Sequence, residues 1–341
     1  MTKENKFDIG LTVLIIALPV FMFLDVFYGS VSISFNELIS VFNSDPRVEN
    51  LSLIIKQYRI PKMLTALAAG MALPLSGLLM QTMFRNPLSG PFVLGISSGA
   101  GLGVALSLMV GAGLTGILPI LTDINSVVAG SIGALMVMMI ILYVSERVNN
   151  LSALLIVGVM IGSFASAIIG LLQYYSEDQE LRNFIIWTMG SLGGAEFNEI
   201  IILYSILFLS ILAVIWISKG LNAIAIGERY AHSLGIDIVL IRRISLFVAS
   251  ILAGSVTAII GPIAFIGLAV PHIAKASLNT MNHKKLIPFT LLLGGILMLF
   301  FDLISQFVIN DQIVPVNVIT SLFGAPFVIM VVLRRSTKMS Y

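Results

Sequence analysis

Long apolar segments alternate with short polar stretches along the whole chain. A helix needs about twenty mostly apolar residues to cross a bilayer, and ten segments reach or approach that length. They lie at roughly 9–28, 60–83, 92–110, 114–144, 151–174, 198–218, 240–260, 263–278, 286–309 and 314–333. Strands of an outer-membrane barrel would instead alternate in segments of about ten residues. The pattern therefore predicts an all-α, polytopic membrane protein with about ten transmembrane helices.

The composition supports this class and excludes two others. Hydrophobic residues make up 58% of the chain and charged residues only 11%, against roughly a quarter charged in soluble domains. A soluble protein could not hide so much apolar surface, and a disordered chain needs the opposite balance. No stretch between the segments is long enough for a separate domain, so residues 1–341 are predicted to form one membrane domain.

The positions of the charges predict an orientation. Fourteen of the 19 Lys and Arg residues fall on the side of the membrane that holds the N-terminus, whereas ten of the 17 Asp and Glu residues fall on the other side. Cytoplasmic loops carry the excess of basic residues. We therefore expect a multi-pass protein of the cytoplasmic membrane with both termini inside.

Motifs for catalysis or nucleotide binding are missing from the sequence. It contains no GxxxxGK[ST], HExxH or GxSxG pattern. One GxGxxG lies at 111–116, but it follows no strand and is interpreted as a flexible external turn. The chain has no cysteine and three histidines, so few side chains are available to ligate a metal ion. We therefore expect no enzymatic activity, no cofactor, no bound metal and no nucleic-acid partner.

Asp302 is the one acidic residue deep within a predicted span, and Asp25 lies close to an outer surface. Acidic residues inside a membrane are costly and usually functional. Gln306, one helical turn further on, is a candidate partner for Asp302. An ion-coupled carrier usually needs more than one such group, so ion coupling is kept only as an alternative.

Small residues recur every fourth position on several segments. Gly95, Gly99 and Gly103 form such a stripe on the third segment, and similar stripes follow on the fourth and fifth. Small residues let the backbones of membrane helices approach closely. The stripes predict a tightly packed helical core. Because the third and eighth segments are short and interrupted by Gly or Pro, they are either broken helices near a pathway or ordinary close-packed helices.

Two polar stretches are predicted on the inner side. Residues 85–91 contain two prolines and a glycine and form a bent connector. Residues 225–235 contain Gly227 and Gly235, and Ile224, Gly227, Ala231 and Leu234 make a small apolar ridge. This pattern predicts a short surface helix. It could dock into a groove of a soluble partner or rest on lipid headgroups, and the residues alone favour neither.

The chain resembles the FecCD-type permeases, the membrane subunits of binding-protein-dependent ABC importers for iron–siderophores, haem and vitamin B12. The similarity covers about residues 55 to 335 and rests on the order and spacing of many blocks. These are Arg59-Ile60-Pro61-Lys62, the segment 70–85 with Ser76-Gly77 and Gln81, Asn86-Pro87-Leu88, Gly190-Ser191-Leu192, Gly227-Glu228 with Ala231 and Leu234-Gly235, 261–268 with Pro271-His272, and Gly324-Ala325-Pro326-Phe327. The chain departs from many members at Ile313, Asn317 and Gln306.

The resemblance implies partners and roles. Residues 222–237 would be the segment that couples the permease to a separate ATPase subunit, through Gly227, Glu228, Ala231, Leu234 and Gly235. Arg59 and Lys62 would dock an extracytoplasmic substrate-binding protein, with an ion pair or anchoring within the subunit as the alternative. The pathway would run between two permease subunits, identical or homologous, and two ATPase subunits would power it. Its lining is expected to include Ser163, Ser166, Gln173, Asn317, Thr320 and Ser321.

The resemblance predicts that the chain is a permease subunit of a type II ABC importer. Hydroxyl and amide side chains offer no strong site for a bare metal ion, which favours a chelated cargo. This chemistry does not separate iron–siderophore, haem and cobalamin; iron–siderophore is placed first because it is the most frequent cargo of the family that the chain resembles. Two other classes stay open from the residues: an ion-coupled secondary carrier and a membrane-embedded enzyme or scaffold.

Overall fold

The computed structural model describes residues 3–29, 31, 33–35, 37, 40, 49–110, 126–148, 151–306 and 314–336. In that part of the chain all regular structure is helical. The helices are α1 (Lys3–Phe27), α2 (Glu49–Met83, with a π-helical turn at Ile54–Arg59), α3 (Ile96–Ala105, continued by a π-helical turn to Val110), α4 (Ser126–Arg147), α5 (Leu151–Tyr175), α6 (Asp178–Thr188), α7 (Phe197–Ile226), α8 (Glu228–Ser233), α9 (Ile238–Ile260), α10 (Ile266–Leu278), α11 (His283–Gln306) and α12 (Val316–Ser336).

Each of the ten apolar segments corresponds to one helix. Among the described residues, seven helices are long and apolar enough to cross a membrane, and three shorter apolar helices lie at Ile96–Met109, Ile266–Leu278 and Val316–Val331. The all-α, polytopic class predicted from the sequence is therefore confirmed. The predicted GxGxxG turn at 111–116, the first part of the fourth segment and Ile313 lie outside the described residues.

Two helices differ in length from the sequence prediction. The second begins at Glu49, about ten residues early, because the π-helical turn at Ile54–Arg59 carries the helix through its polar start. Helix α7, which corresponds to the sixth apolar segment, continues from its predicted end near residue 218 to Ile226. On this extension Ala223 and Ile224 are buried against the core, whereas Ile226 is exposed. The first part of the predicted coupling segment is thus the end of a transmembrane helix.

Helix α2 forms the centre of the bundle. In its most apolar window 89% of the residues are buried, compared with 6% for α1, which lies at the periphery. Helices α7, α9, α10 and α11 all pack against α2. Small side chains such as Ala68, Ala69 and Ala72 are fully buried on it. Because they are small, α2 can be surrounded closely on several faces.

The predicted glycine stripes mark helix crossings. A Cβ atom at Gly99 would contact the carbonyl oxygen of Gly133, so α3 and α4 meet backbone to backbone. A Cβ atom at Gly77 on α2 would overlap the carbonyl oxygen of Gly267 on α10. The stripe on α5 behaves differently, since a Cβ atom added at Gly170 would have no neighbouring atom within 4 Å. Close packing is thus the role of the interior stripes.

The two ends of the bundle are called outer and inner according to the orientation that the charges predict. The outer end carries Asp25, Arg59 and Gln306, and the inner end carries Phe7 and Lys285. Gln306 Nε2 donates to Asp25 Oδ1 at 3.3 Å, and Lys285 Nζ lies 5.3 Å from the centre of the Phe7 ring. Helices α1 and α11 therefore run in the same direction. The assignment of the inner end to the cytoplasm stays a prediction from the charges.

Replacing Gly77 by alanine is expected to lower stability. The added methyl group must displace the backbone of α10, and overpacking of this kind costs about 1–3 kcal/mol. The measurement is the apparent melting temperature of the detergent-solubilised protein by size-exclusion chromatography after heating. Gly170→Ala is the control, since it adds the same methyl group to a transmembrane helix in open space. Equal melting temperatures for the two variants would contradict the close contact between α2 and α10.

Candidate functional site

The inner end presents a short helix between two glycines. Helix α7 ends at Ile226 and is followed by Gly227, α8 spans Glu228–Ser233, and Gly235 has a positive φ of 72° that lets the chain turn back. Asp237 then caps α9, because its Oδ1 accepts a hydrogen bond of 2.9 Å from the backbone N–H of Leu240. The short surface helix predicted at 225–235 is therefore present.

The predicted apolar ridge is divided between buried and exposed positions. Ala231 and Ile224 are buried in the core, whereas Leu234 is 56% exposed. A Cβ at Gly227 or Gly235 would have no neighbour within 4 Å. Ala231 therefore holds α8 against the bundle and has no surface to offer a partner. The open surface of the segment includes Leu234, Gly235 and most of the remaining residues from 226 to 235.

Glu228 ties α8 to two other parts of the inner end. Its Oε1 lies 3.2 Å from Arg242 Nη2 on α9 and 4.0 Å from Arg85 Nη2 in the connector after α2. Exposed ion pairs contribute little stability, but this one joins three segments. The structure thus brings together the two polar stretches, 85–91 and 225–235, that the sequence singled out separately.

The outer end contains a cavity of about 610 Å³. The end of α1, the start of α2, the loop after α6 and the junction of α11 with α12 surround it. Its lining includes four charged side chains together with backbone and apolar groups. The charged residues are Asp25, Arg59, Lys62 and Asp302.

An ion pair between a partly exposed lysine and a buried carboxylate lies at the inner wall of this cavity. Lys62 Nζ is 2.9 Å from Asp302 Oδ2, and the Asp302 side chain is 1% exposed. Gln306 Nε2 donates to the same oxygen at 3.0 Å and also to Asp25 Oδ1 at 3.3 Å. The predicted pairing of Asp302 with Gln306 is confirmed. Lys62 and Asp25 were not predicted as partners of Asp302 and Gln306. They are distant from these two residues in sequence, and only the packing of α1, α2 and α11 brings the four side chains close.

Arg59 closes the end of α1. Its Nη1 donates to the carbonyl oxygens of Val26 and Phe27, both at 2.8 Å, and its Nη2 donates to that of Val31. The last carbonyls of a helix lack intrahelical partners and carry partial negative charge, so a guanidinium group suits this place. The residue is 7% exposed. Arg59 and Lys62 thus already have partners within the subunit. This agrees with the alternative to binding-protein docking, which was an ion pair or anchoring within the subunit.

The predicted pathway residues on α5 lie on its open face. Ser163 and Ser166 are exposed, and Gln173 is half-buried. Phe164 and Tyr174, large side chains of the same helix, are also exposed. Ser163 Oγ donates to the Val159 carbonyl of its own helix, at 3.0 Å. The surface of α5 is therefore available to lipid, a second subunit or cargo.

The predicted pathway residues on α12 mostly face the interior of the chain. Asn317 Oδ1 accepts a hydrogen bond of 3.0 Å from the backbone N–H of Ala264. Thr320 is buried, and its Oγ1 donates to the Asn317 carbonyl at 3.1 Å. Ser321 is half-buried. Asn317, a departure from the resembled pattern, therefore fixes the turn before α10, and Thr320 has no open surface in the single subunit.

Comparison with known proteins identifies the family. The sequence model of the FecCD transport family matches residues 14–334. The chain belongs to the FecCD transport family. It is therefore a multi-pass permease of the ABC-importer type, located in the cytoplasmic membrane, and the family predicted from the sequence is confirmed.

Individual relatives and a solved structure agree with this assignment. The hemin transport permease HmuU of Yersinia pestis is 34% identical over 92% of this chain and 91% of its own length. A probable iron chelatin permease of Helicobacter pylori is 30% identical over 97% and 98%. The vitamin B12 permease BtuC of Photorhabdus laumondii is 36% identical over 84% and 83%. An inward-facing metal-chelate type ABC transporter has a TM-score of 0.80 and 26% identity, covering 96% of this chain and 99% of that one.

Breaking the buried ion pair is expected to destabilise the FecCD permease. Lys62→Met leaves the buried Asp302 carboxylate without its cationic partner. Loss of one member of a fully buried pair costs about 3–5 kcal/mol, and because the Lys62 side chain is 20% exposed, the expected cost is at or below the lower end of that range. The apparent melting temperature should fall by several degrees, and Asp302→Asn in the same chain should restore part of the loss. Lys56→Met is the control, since Lys56 is an exposed lysine of the same helix. Equal effects of Lys62→Met and Lys56→Met would refute a stabilising ion pair.

Proposed function

We propose that this FecCD permease is the membrane subunit of a type II importer that carries a chelated metal, with ferric siderophore as the cargo. Two copies, or one copy and a homologue, would form the pathway. Two separate ATPase subunits would drive it from the inner side, and a substrate-binding protein would deliver the cargo to the outer end. The subunit itself would catalyse no reaction.

The observation that carries the proposal is the inner surface segment 227–235. A short helix is held by the buried Ala231 and by the contacts of Glu228, while Leu234 and Gly235 remain open. The sequence has no nucleotide-binding motif, so energy from ATP would have to enter from a partner. An exposed apolar residue on an anchored helix is a suitable contact for a groove on such a partner. Because α7 leads directly into this segment, force on it would reach a transmembrane helix.

The cargo class is supported by the chemistry of the pathway candidates. The exposed side chains of α5 are hydroxyl, apolar and aromatic groups. Within the described residues no group of three or more His, Cys, Asp or Glu side chains could hold a metal ion. A bare ion would seek such ligands, whereas a large chelate needs a surface along which it can slide. The relatives named for hemin, iron chelatin and vitamin B12 handle cargo of this kind, so haem and cobalamin are the alternatives.

An ion-coupled carrier is a second candidate because of the acidic pair in the outer cavity. Asp25 and Asp302 share the Gln306 amide. However, Asp302 is already neutralised by Lys62 at 2.9 Å, which makes it a structural ion pair. Uptake that persists without ATP and stops with a protonophore would favour this second candidate.

At the outer end, Arg59 and Lys62 are proposed to shape the surface on which a binding protein docks. Their hydrogen bonds and ion pair fix the end of α1 and the start of α2 around the cavity. In this proposal the two residues position neighbouring surface groups, and their own charges are largely satisfied within the subunit.

Uptake in a deletion strain tests the cargo. Labelled ferric siderophores, haem and cobalamin are supplied to the deletion strain with and without a plasmid copy of the gene. We expect ferric siderophore uptake to be lost and then restored by the plasmid, with the other two cargoes unchanged. If only haem or only cobalamin uptake were lost, that molecule would be the cargo in place of ferric siderophore, and the assignment as an importer would stand.

The same assay tests the coupling segment through Gly235. Gly235→Arg places a bulky charged side chain in the open surface, and we expect normal membrane insertion but at least roughly a tenfold loss of uptake, because the partner's groove would be blocked. Gly235→Asn is the matched control, since asparagine tolerates a positive φ and adds much less bulk. Retention of an ATPase subunit is measured by co-purification. Wild-type uptake by Gly235→Arg would exclude 227–235 as the coupling surface.

A further inference from the structure

A groove at the inner end opens between α7 and α11 towards the membrane. It has a volume of about 680 Å³. Five aliphatic or proline side chains, one tryptophan, one serine and two lysines line it. They are Ile211, Ile215, Ile287, Pro288, Leu291, Trp216, Ser218, Lys219 and Lys284. We call it the α7–α11 groove.

The polar end of this groove is positively charged. Lys219 and Lys284 are both exposed, and neither ammonium group has a carboxylate within 4.0 Å in the described part of the chain. The next lysine, Lys285, is directed elsewhere, with its Nζ 5.3 Å from the centre of the Phe7 ring. Two uncompensated positive charges therefore lie at the mouth of an otherwise apolar groove.

The position of the two lysines is fixed by the junction of α7 with α11. Asn222 Oδ1 accepts a hydrogen bond of 2.8 Å from the backbone N–H of His283, and the His283 ring is buried there. Lys219 lies one turn before Asn222, and Lys284 follows His283 directly. Both lysines are thus close in sequence to this contact, and both line the α7–α11 groove.

A second groove on the opposite side of α7 provides a comparison. It lies between α4, α7 and α9 and has a similar volume of about 550 Å³. Its inner end carries Arg243, but Arg243 Nη2 is 3.1 Å from Glu146 Oε1. The charge of this second groove is therefore compensated within the protein. Of these two grooves, the α7–α11 groove is the one that offers free positive charge.

We propose that the α7–α11 groove is a binding site for one anionic phospholipid of the inner leaflet. The phosphate lies between Lys219 and Lys284, and an acyl chain follows the aliphatic lining towards Ile211 and Leu291. Trp216, which is 71% exposed, lies at the level of the glycerol and ester groups, where tryptophan is enriched in membrane proteins. Basic pockets between transmembrane helices on the cytoplasmic side suit anionic headgroups.

The bound lipid would stabilise the helix that carries the inner surface segment. Helix α7 continues from Lys219 to Gly227, where α8 begins. A lipid held against both α7 and α11 would oppose their separation. Lipid binding does not depend on the cargo or on the coupling role, so it can fail or succeed independently of the proposed function.

The test measures lipid binding to the purified full-length permease, with the subunits that co-purify, by native mass spectrometry. The probes are dioleoyl-phosphatidylglycerol and dioleoyl-phosphatidylcholine. Each lysine near an anionic headgroup contributes about 1 kcal/mol, so Lys219→Gln/Lys284→Gln should weaken phosphatidylglycerol binding about 30-fold. Phosphatidylcholine binding should change less than about threefold, because its headgroup carries no net charge.

Three further variants act as controls. Lys219→Arg/Lys284→Arg keeps both charges and should retain phosphatidylglycerol. Arg243→Gln removes a compensated charge from the second groove and should leave binding within about twofold of wild type. Ile215→Trp fills the apolar part of the α7–α11 groove without changing a charge and should weaken binding of the same lipid. This last variant keeps the proposal testable even when the double lysine variant is poorly folded.

Several outcomes would overturn the proposal. Equal binding of the two lipids to wild type would exclude an anionic site. Displacement of the lipid by millimolar inorganic phosphate would indicate a free-anion site without an acyl chain. Loss of the ATPase subunit from the double lysine variant, with phosphatidylglycerol binding unchanged, would assign Lys219 and Lys284 to a protein interface.

Discussion

The close approach of helix backbones along α2 is the contact on which the arrangement of the other helices depends. In a membrane, apolar side chains gain nothing by leaving lipid for protein, so packing must come from short-range contacts between surfaces that fit. Gly77 on α2 meets the carbonyl of Gly267 on α10, and Gly70 meets the backbone of α11 near Gly294. Because α7 and α9 also pack against α2, the loops at the two ends are brought to fixed places.

The two ends use polar groups for different purposes. At the outer end the charged groups have partners inside the subunit. Arg59 donates hydrogen bonds to the last carbonyls of α1, and the Lys62–Asp302 pair joins α2 to α11. At the inner end, Glu228 anchors α8 while Leu234 stays exposed. Buried polar groups in a low-dielectric interior require partners, whereas groups at a water-facing surface do not. The outer cluster is thus suited to holding a shape and the inner segment to meeting a partner.

Helix α7 connects the core with the two grooves and the inner surface segment. It packs on α2 in the core, forms one wall of each of the two lipid-facing grooves, and ends at Gly227 where α8 begins. Its inner end is held to α11 by Asn222 and the backbone of His283. Movement of α8 relative to the bundle would therefore have to act on this junction. A lipid bound beside it would be placed where such movement begins.

The sequence by itself determined the helical class, the number of apolar segments, the stripes of small residues and the existence of a short helix between Gly227 and Gly235. These follow from local composition and from spacing within one segment, because apolar length, helix periodicity and glycine turns act over a few residues. It also identified Gln306 as a partner of Asp302, since the two lie one turn apart on one helix.

Only the tertiary structure decided which groups face inward. Lys62 and Asp302 lie far apart in the chain, on the second and the ninth apolar segments. Asn317 is hydrogen-bonded to Ala264, from which it is separated in sequence by α10 and α11. In the same way, Ala231 and Leu234 belong to one predicted ridge, but Ala231 is fully buried while Leu234, just past the end of α8, is exposed. Which side chain is buried depends on the rotation of each helix against its neighbours. That rotation is set by contacts between distant segments, and no local pattern in the sequence records it.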